Sequence, residues 1–300
     1  MNILITGGTG LVGKHLTKLL LSKGYKVSFL SRKKEQIPNV KVYQWDIEKG
    51  QIDADALTNV DYIVHLAGAG IADKRWTDKR KQEIIDSRIK PIQLLNKHLQ
   101  THKIKLKAFV SASAIGFYGG DTGETRLDEN SNAGNDFLAT CTKIWETETK
   151  NFTQAERTVS LRTGIVLSEA GGALPKLAQP IKLGVGSPLG SGKQWMSWIH
   201  IDDMCQLYLQ AIEDKKMHGP YNAVAPEPIR NEEMTKTVAE VLKRPLWLPN
   251  IPPFAIKLLF GELAITVLGG NYVKNKRVSE EISFSYQFPT LKEALENLYA

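Results

Sequence analysis

Residues 6 to 13 read Thr-Gly-Gly-Thr-Gly-Leu-Val-Gly, a spacing that suits the binding of a dinucleotide's phosphates. Gly7, lacking a Cβ, permits a tight turn out of a strand, and Gly10 lets the backbone approach a pyrophosphate. Gly13 allows a helix to pack closely on the sheet, while Thr6 closes the strand before the turn. The amides of Leu11, Val12 and Gly13 then face the ligand at the positive end of a helix dipole. A glycine triplet alone is a weak sign. Here an apolar run at 2–6 precedes it, a helix-patterned stretch at 11–22 follows, and a second apolar run at 26–30 comes next.

The end of that second run selects between nicotinamide cofactors. A carboxylate there binds the free ribose hydroxyls of NAD and repels the 2′-phosphate of NADP. This chain has Ser31-Arg32-Lys33-Lys34 instead. Arg32 can pair with a 2′-phosphate and Ser31 can donate to it, so NADP(H) is expected in preference to NAD. The competing reading is a charged surface turn.

The GxxGxxG form resembles the short-chain dehydrogenase/reductase superfamily, and further segments extend the resemblance. It implies that Asp46 accepts from the adenine amino group and that the Ile47 amide meets a ring nitrogen; a plain turn is the alternative for Asp46. His65-Leu66-Ala67-Gly68-Ala69-Gly70 is similar to the superfamily's Asn-Asn-Ala-Gly stretch, implying that Leu66, Ala67 and Gly68 line the cofactor ribose. His65 itself is read as packed beside the sheet. Phe109 to Gly119, which includes Ser111, Ser113 and Tyr118, resembles the Ser-Ser-Ala-x-x-Tyr-Gly stretch of the extended enzymes, with one residue more before the Tyr-Gly pair. Ser113 then takes the place that polarises a substrate carbonyl or hydroxyl. Capping is the alternative for both serines. Leu161 to Leu167, with Arg162, resembles the segment that approaches the nicotinamide carboxamide.

In that superfamily a tyrosine four residues before a lysine serves as acid/base, the lysine lowering the phenol pKa and holding the ribose. Lys143 is the candidate lysine, but Ala139 stands where the tyrosine belongs, and no tyrosine lies between Tyr118 and Tyr208. Three accounts follow: cofactor binding without hydride transfer, replacement of the phenol by another acid, or an easier reaction. Tyr118 is the best-placed substitute by chain position and is equally suited to packing beside the cofactor. Gly190 to Asp203 resembles the segment in which an arginine grips a sugar-nucleotide diphosphate, yet Met196 stands near that place. With Ser111 to Gly119, Lys143-Ile144-Trp145-Glu146 and Pro253 to Leu263, the full chain resembles the epimerase family of NADP-binding proteins related to YfcH, an atypical extended branch with its own C-terminal region from about 245 to 300.

These residues need a scaffold, and the hydrophobic pattern supplies one. Apolar runs at 2–6, 26–30, 40–45, 61–66 and 106–112 alternate with helical stretches at 11–22, 53–58, 77–101 and 136–152, and a strand or strand pair spans 158–167. Such alternation means βαβ units, so the fold is expected to be α/β, a Rossmann-type doubly wound parallel sheet. Its ligand should sit at the ends of the runs 2–6 and 61–66, where strand order reverses. Residues 1–167 form the nucleotide-binding domain in this reading. The glycine- and proline-dense 168–300 forms a smaller C-terminal substrate-side lobe, with helices at 201–213, 231–243 and 290–299.

The chain has 300 residues, 42% apolar and 24% charged, which suits a globular protein. Net charge is +7, but the lysines are scattered, which disfavours nucleic acid. The two cysteines, Cys141 and Cys205, stand apart, pointing to a reducing compartment and no structural metal. With an apolar run from residue 2 leaving no room for a leader, a cytoplasmic location is expected. The partner is a small-molecule substrate. The apolar 251–270 stretch is interrupted by charge, proline and glycine, so lobe core is favoured over a homodimer contact or a membrane surface.

Overall fold

Parallel strands covered on both faces read as nearly continuous apolar runs, and alternate side chains then feed two separate cores. In the computed structural model, which describes residues 1–300, the chain runs β1 (Asn2–Thr6), α1 (Leu11–Ser22), β2 (Lys26–Ser31), β3 (Val40–Asp46), β4 (Gln51–Ile52), β5 (Tyr62–His65), α2 (Asp78–Thr101), β6 (Ala108–Ala114), β7 (Arg126–Leu127), α3 (Phe137–Lys150), β8 (Thr158–Thr163) and β9 (Ile165–Leu167). It continues through α4 (Leu174–Lys182), β10 (Trp195–Met196), β11 (Trp198–His200), α5 (Ile201–Glu213), β12 (Gly219–Ala223), β13 (Ile229–Arg230), α6 (Asn231–Val241), α7 (Pro253–Phe260), α8 (Ile265–Leu268), β14 (Tyr272–Val273), α9 (Lys276–Glu281) and α10 (Leu291–Tyr299). The short helix expected at 53–58 is a 3-10 turn, Ala54–Leu57, capped by the Asp53 side chain.

The main sheet has eight strands in the order β12-β8-β6-β5-β1-β2-β3-β4. All but β4 pair in parallel, and winding reverses between β1 and β5, with Thr6 opposite His65. Ile3 and Ile5 point into a core with Leu16 and Leu20 of α1 and Met204 and Tyr208 of α5. Leu4, Ile63 and Phe109 point the other way, against Leu95 and Leu99 of α2 and Trp145 of α3. A third core joins α4, α6 and α10 through Ile181, Val238 and Leu295.

The large sheet does not end at residue 167. β12 pairs in parallel with β8, Tyr221 opposite Leu161, and α5 packs in the α1 layer, so residues 201–223 return to the first unit. Pro220 is compatible with a strand because β12 lies at the edge. Loop composition marks where the chain leaves a sheet and carries no sign of where it comes back.

The expectation that 251–270 forms lobe core on two faces needs correction. Ile256 and Leu263 are buried, but Phe254, Leu258 and Leu259 are 73%, 77% and 67% exposed. Gly261, at φ +58, stops α7, so the residues beyond it belong to a separate turn and do not extend one helix face. No helix is long and apolar enough to cross a membrane. Ile256→Ala is expected to cost about 2–5 kcal/mol in urea denaturation, as buried large-to-small changes do. Leu258→Ser should stay within about 0.5 kcal/mol, as exposed changes do.

Candidate functional site

The glycine turn is a product of backbone crowding. Gly7 adopts φ +70, and a Cβ there would lie 2.8 Å from the Ala67 nitrogen. A Cβ on Gly13 would lie 2.6 Å from the Gly7 oxygen, which is why α1 can start so close to the sheet. The Gly10 amide donates to Gly7 O at 3.0 Å, and no side chain caps the α1 N-terminus. The first-turn amides, Leu11, Val12 and Gly13 among them, are therefore left for a ligand. Beneath the turn, Thr6 Oγ1 and His65 Nδ1 are 2.7 Å apart, and the Ala67 amide donates to the same hydroxyl at 3.3 Å. Burial lowers the His65 pKa to about 4, so the imidazole is neutral and belongs to the packing, as expected for it.

At the end of β2, Ser31 Oγ accepts from the Lys33 amide at 3.2 Å, and Arg32 is exposed without a protein partner. Asp46 closes a turn, its Oδ1 accepting from the Lys49 amide at 3.0 Å; that bond holds its carboxyl below the usual range. Ile47 packs against the core around Trp45. After β5, the Leu66–Ala67–Gly68 backbone runs past the glycine turn, and the next amide, of Ala69, donates to Ser87 Oγ at 2.9 Å.

Two of the sequence-selected residues, Ser113 and Arg162, converge on a carboxylate that the motif reading left without a role, Glu146 of α3, and a third, Tyr118, joins them through Arg162. Ser113 Oγ donates to Glu146 Oε1 at 2.6 Å. Arg162 grips the same carboxylate with Nε and Nη2, each at 2.8 Å. Its Nη1 donates to the Tyr118 hydroxyl at 3.0 Å, and the Phe117 ring lies 3.5 Å below the guanidinium. The Tyr118 hydroxyl in turn lies 2.8 Å from both Asp128 O and Asn222 Oδ1. Burial pushes this phenol up to about 12 against the opposing pull of Arg162. The geometry therefore gives Tyr118 a packing and bonding place, not that of a proton donor. Arg162, 3% exposed, has every nitrogen bonded inside the protein and does not reach toward a cofactor.

Ser111 is fully buried beside this group. Lys143 is exposed, carries no protein partner and stays outside the network, while Ala139 is buried. Leu138 and Thr142 are the α3 side chains beside Gly116, in the turn after β6. Glu146 had one legible sign: it stands seven residues after Ala139, two turns along the same helix face.

Comparison with known proteins decides the family. The model of the NAD dependent epimerase/dehydratase family matches residues 3–224. The chain belongs to that family. A second model, a domain of unknown function, matches 251–298. An epimerase family protein of Bacillus subtilis, YfhF, is 36% identical over 303 residues, covering 100% of this chain and 98% of that one. The human epimerase family protein SDR39U1, crystallised with NADPH, superposes with a TM-score of 0.89 at 32% identity over 100% of this chain and 99% of that one. UDP-glucose 4-epimerase of Thermotoga maritima, with UDP-glucose, shares the fold at a TM-score of 0.80 and 18% identity, covering 100% and 97%. The chain combines a glycine turn, a serine at the end of β6 and a carboxylate–guanidinium pair bonded to that serine.

Removing one partner of a buried ion pair strands the other, so Arg162→Met should lower stability by about 3–5 kcal/mol in guanidinium denaturation. Adding Glu146→Leu should recover a measurable part. The unfolded chain protonates His65 near 6.5 and the folded one only near 4. Its contribution is therefore complete above pH 6.5 and is lost as pH falls toward 4, and His65→Gln should flatten that part of the stability profile.

Proposed function

We propose that this protein is an NADP(H)-dependent oxidoreductase or epimerase-like enzyme acting on a small hydroxyl- or carbonyl-bearing substrate. The observation that carries the reading is Ser113 at the end of β6, its hydroxyl committed to Glu146 at 2.6 Å. The uncapped α1 amides and a turn too tight for a Cβ fit a dinucleotide's diphosphate. Arg32 and Ser31 take the 2′-phosphate, and Leu66, Ala67 and Gly68 line the ribose. That a human relative was crystallised with NADPH supports the choice of cofactor. When bound, the nicotinamide supplies or accepts hydride. Ser113, donating its own proton to Glu146, presents oxygen lone pairs to a substrate hydroxyl. It can accept that hydroxyl's proton while passing its own to the carboxylate, a route that needs no phenol.

Residues 168–300, apart from the returning 201–223, serve as the substrate-side lobe in this reading. Its exposed Phe254, Leu258 and Leu259 support a homodimer contact, and two unpaired cysteines support a cytoplasmic location. A second reading, a non-catalytic NADP(H)-binding sensor or regulator, is favoured by Ala139 and by the occupied Tyr118 hydroxyl.

One set of measurements separates them. NADPH is expected to bind more tightly than NADH in a tryptophan-fluorescence titration, with Arg32→Glu weakening NADPH far more than NADH; equal or tighter NADH binding refutes the preference. Cofactor-linked turnover on a panel of small alcohols, aldehydes and ketones should fall by about a hundredfold or more in Ser113→Ala. NADPH binding with no turnover across the panel favours the sensor.

A further inference from the structure

Four large apolar side chains belong to none of the buried cores: Trp76 in the loop after β5, Phe137 and Leu138 in the first turn of α3, and Ile265 at the start of α8. Each is half-buried. They meet all the same. The Trp76 and Phe137 rings pack edge to face with centroids 4.9 Å apart, and Trp76 Nε1 turns aside to donate to Ile71 O at 2.9 Å. A Cβ on Gly120 would lie 2.5 Å from Ile265 Cγ1 and 3.4 Å from Leu138 Cδ1. A Cβ on Gly116 would lie 3.4 Å from Leu138 Cβ. Gly116 belongs to the turn Ile115–Tyr118, which begins two residues after Ser113. These contacts join three segments into one apolar wall beside the turn that follows the serine.

The wall carries no charge of its own, and the cations around it are engaged. Lys81, 5.6 Å from the Phe137 ring centroid, pairs with Glu262 at 2.6 Å. Arg75, next to Trp76, donates to the carbonyls of Leu258 and Leu259. Arg230, opposite Trp195 in the strand pair that holds Met196, is held by Glu124 through two nitrogens at 2.9 and 2.8 Å. A diphosphate placed here would have to break one of these pairs to gain a fork of charged donors.

We propose that this wall is the substrate subsite and that it takes an uncharged ketone or alcohol with an aromatic or aliphatic body, not a nucleotide sugar. The ligand's one oxygen meets Ser113 and its body lies on Leu138 and Ile265, where each methylene removed from water strengthens binding about fourfold. This rests on the NADP(H)-dependent reading above.

The test is saturation-transfer NMR on the NADP⁺-loaded protein, with acetophenone, cyclohexanone and 2-octanone as probes and UDP-glucose as their charged counterpart. At least one ketone should bind saturably, and UDP-glucose should not. Leu138→Ser should weaken that ketone about tenfold, the worth of roughly two buried methylenes, and leave NADPH affinity unchanged. Leu258→Ser, on the outward face of α7, should change neither. Should Leu138→Ser not fold, Ile265→Ser carries the same expectation. Binding of UDP-glucose and of no ketone overturns the proposal, as does the binding of no probe at all. Ketone binding that Leu138→Ser and Ile265→Ser both leave unchanged overturns it as well, because the ketone then sits elsewhere. Ketones that bind at the wall and are not reduced by NADPH support the subsite and remove the enzymatic reading. Protein that binds no NADP(H) removes the cofactor reading, and this proposal with it, before any probe is added.

Discussion

A guanidinium cannot shed its charge inside a protein, so Arg162 obliges the structure around it to supply acceptors. Glu146 comes from α3, Tyr118 from the turn after β6, and Phe117 offers its ring face. Tyr118 reaches on to Asn222 of β12. One buried cation therefore ties β6, β8, β12 and α3 together at the carboxyl end of the sheet. It also decides what Ser113 can do. With Glu146 held by Arg162, the carboxylate is fixed as the acceptor for the serine proton, and the serine oxygen is left to act as an acceptor.

That arrangement changes the terms on which the tyrosine is missing. A phenol serves as acid/base near neutral pH when its surroundings lower its pKa, and a neighbouring cation does so only where it outweighs burial. In this chain the phenol nearest the serine strand is buried, pushed up to about 12, and spent on backbone and amide oxygens. Where a phenol and a lysine would stand together, this chain has a serine, a carboxylate and an arginine within one hydrogen-bonded group.

The C-terminal segment meets the loop after β5 and the start of α2. Arg75 donates to the carbonyls of Leu258 and Leu259 at 3.0 and 2.9 Å, taking up the unpaired end of α7, and Lys81 pairs with Glu262 at 2.6 Å. These contacts come from the loop after β5 and the first turn of α2. The segment is thus oriented by polar contacts on one side and by Ile256 and Leu263 on the other, which leaves the Phe254–Leu258 face outward.

Where a local rule acts, the sequence was sufficient. Apolar periodicity placed β1, α1, β2, β3 and α2 to within a residue or two, and the glycine spacing announced a turn that Gly7 and Gly13 make by backbone contact alone. Such features depend on φ, ψ and neighbouring residues, which sequence records directly. Other features were decided only by the tertiary structure. The return of β12 to the sheet, the outward face of α7 and the inward turn of Arg162 depend on groups far along the chain. Glu146 and Arg162 are 16 residues apart, Tyr118 and Asn222 are 104 apart, and no local pattern marks either pair. A charged side chain in sequence has no direction; it acquires one when burial forces it to find a partner.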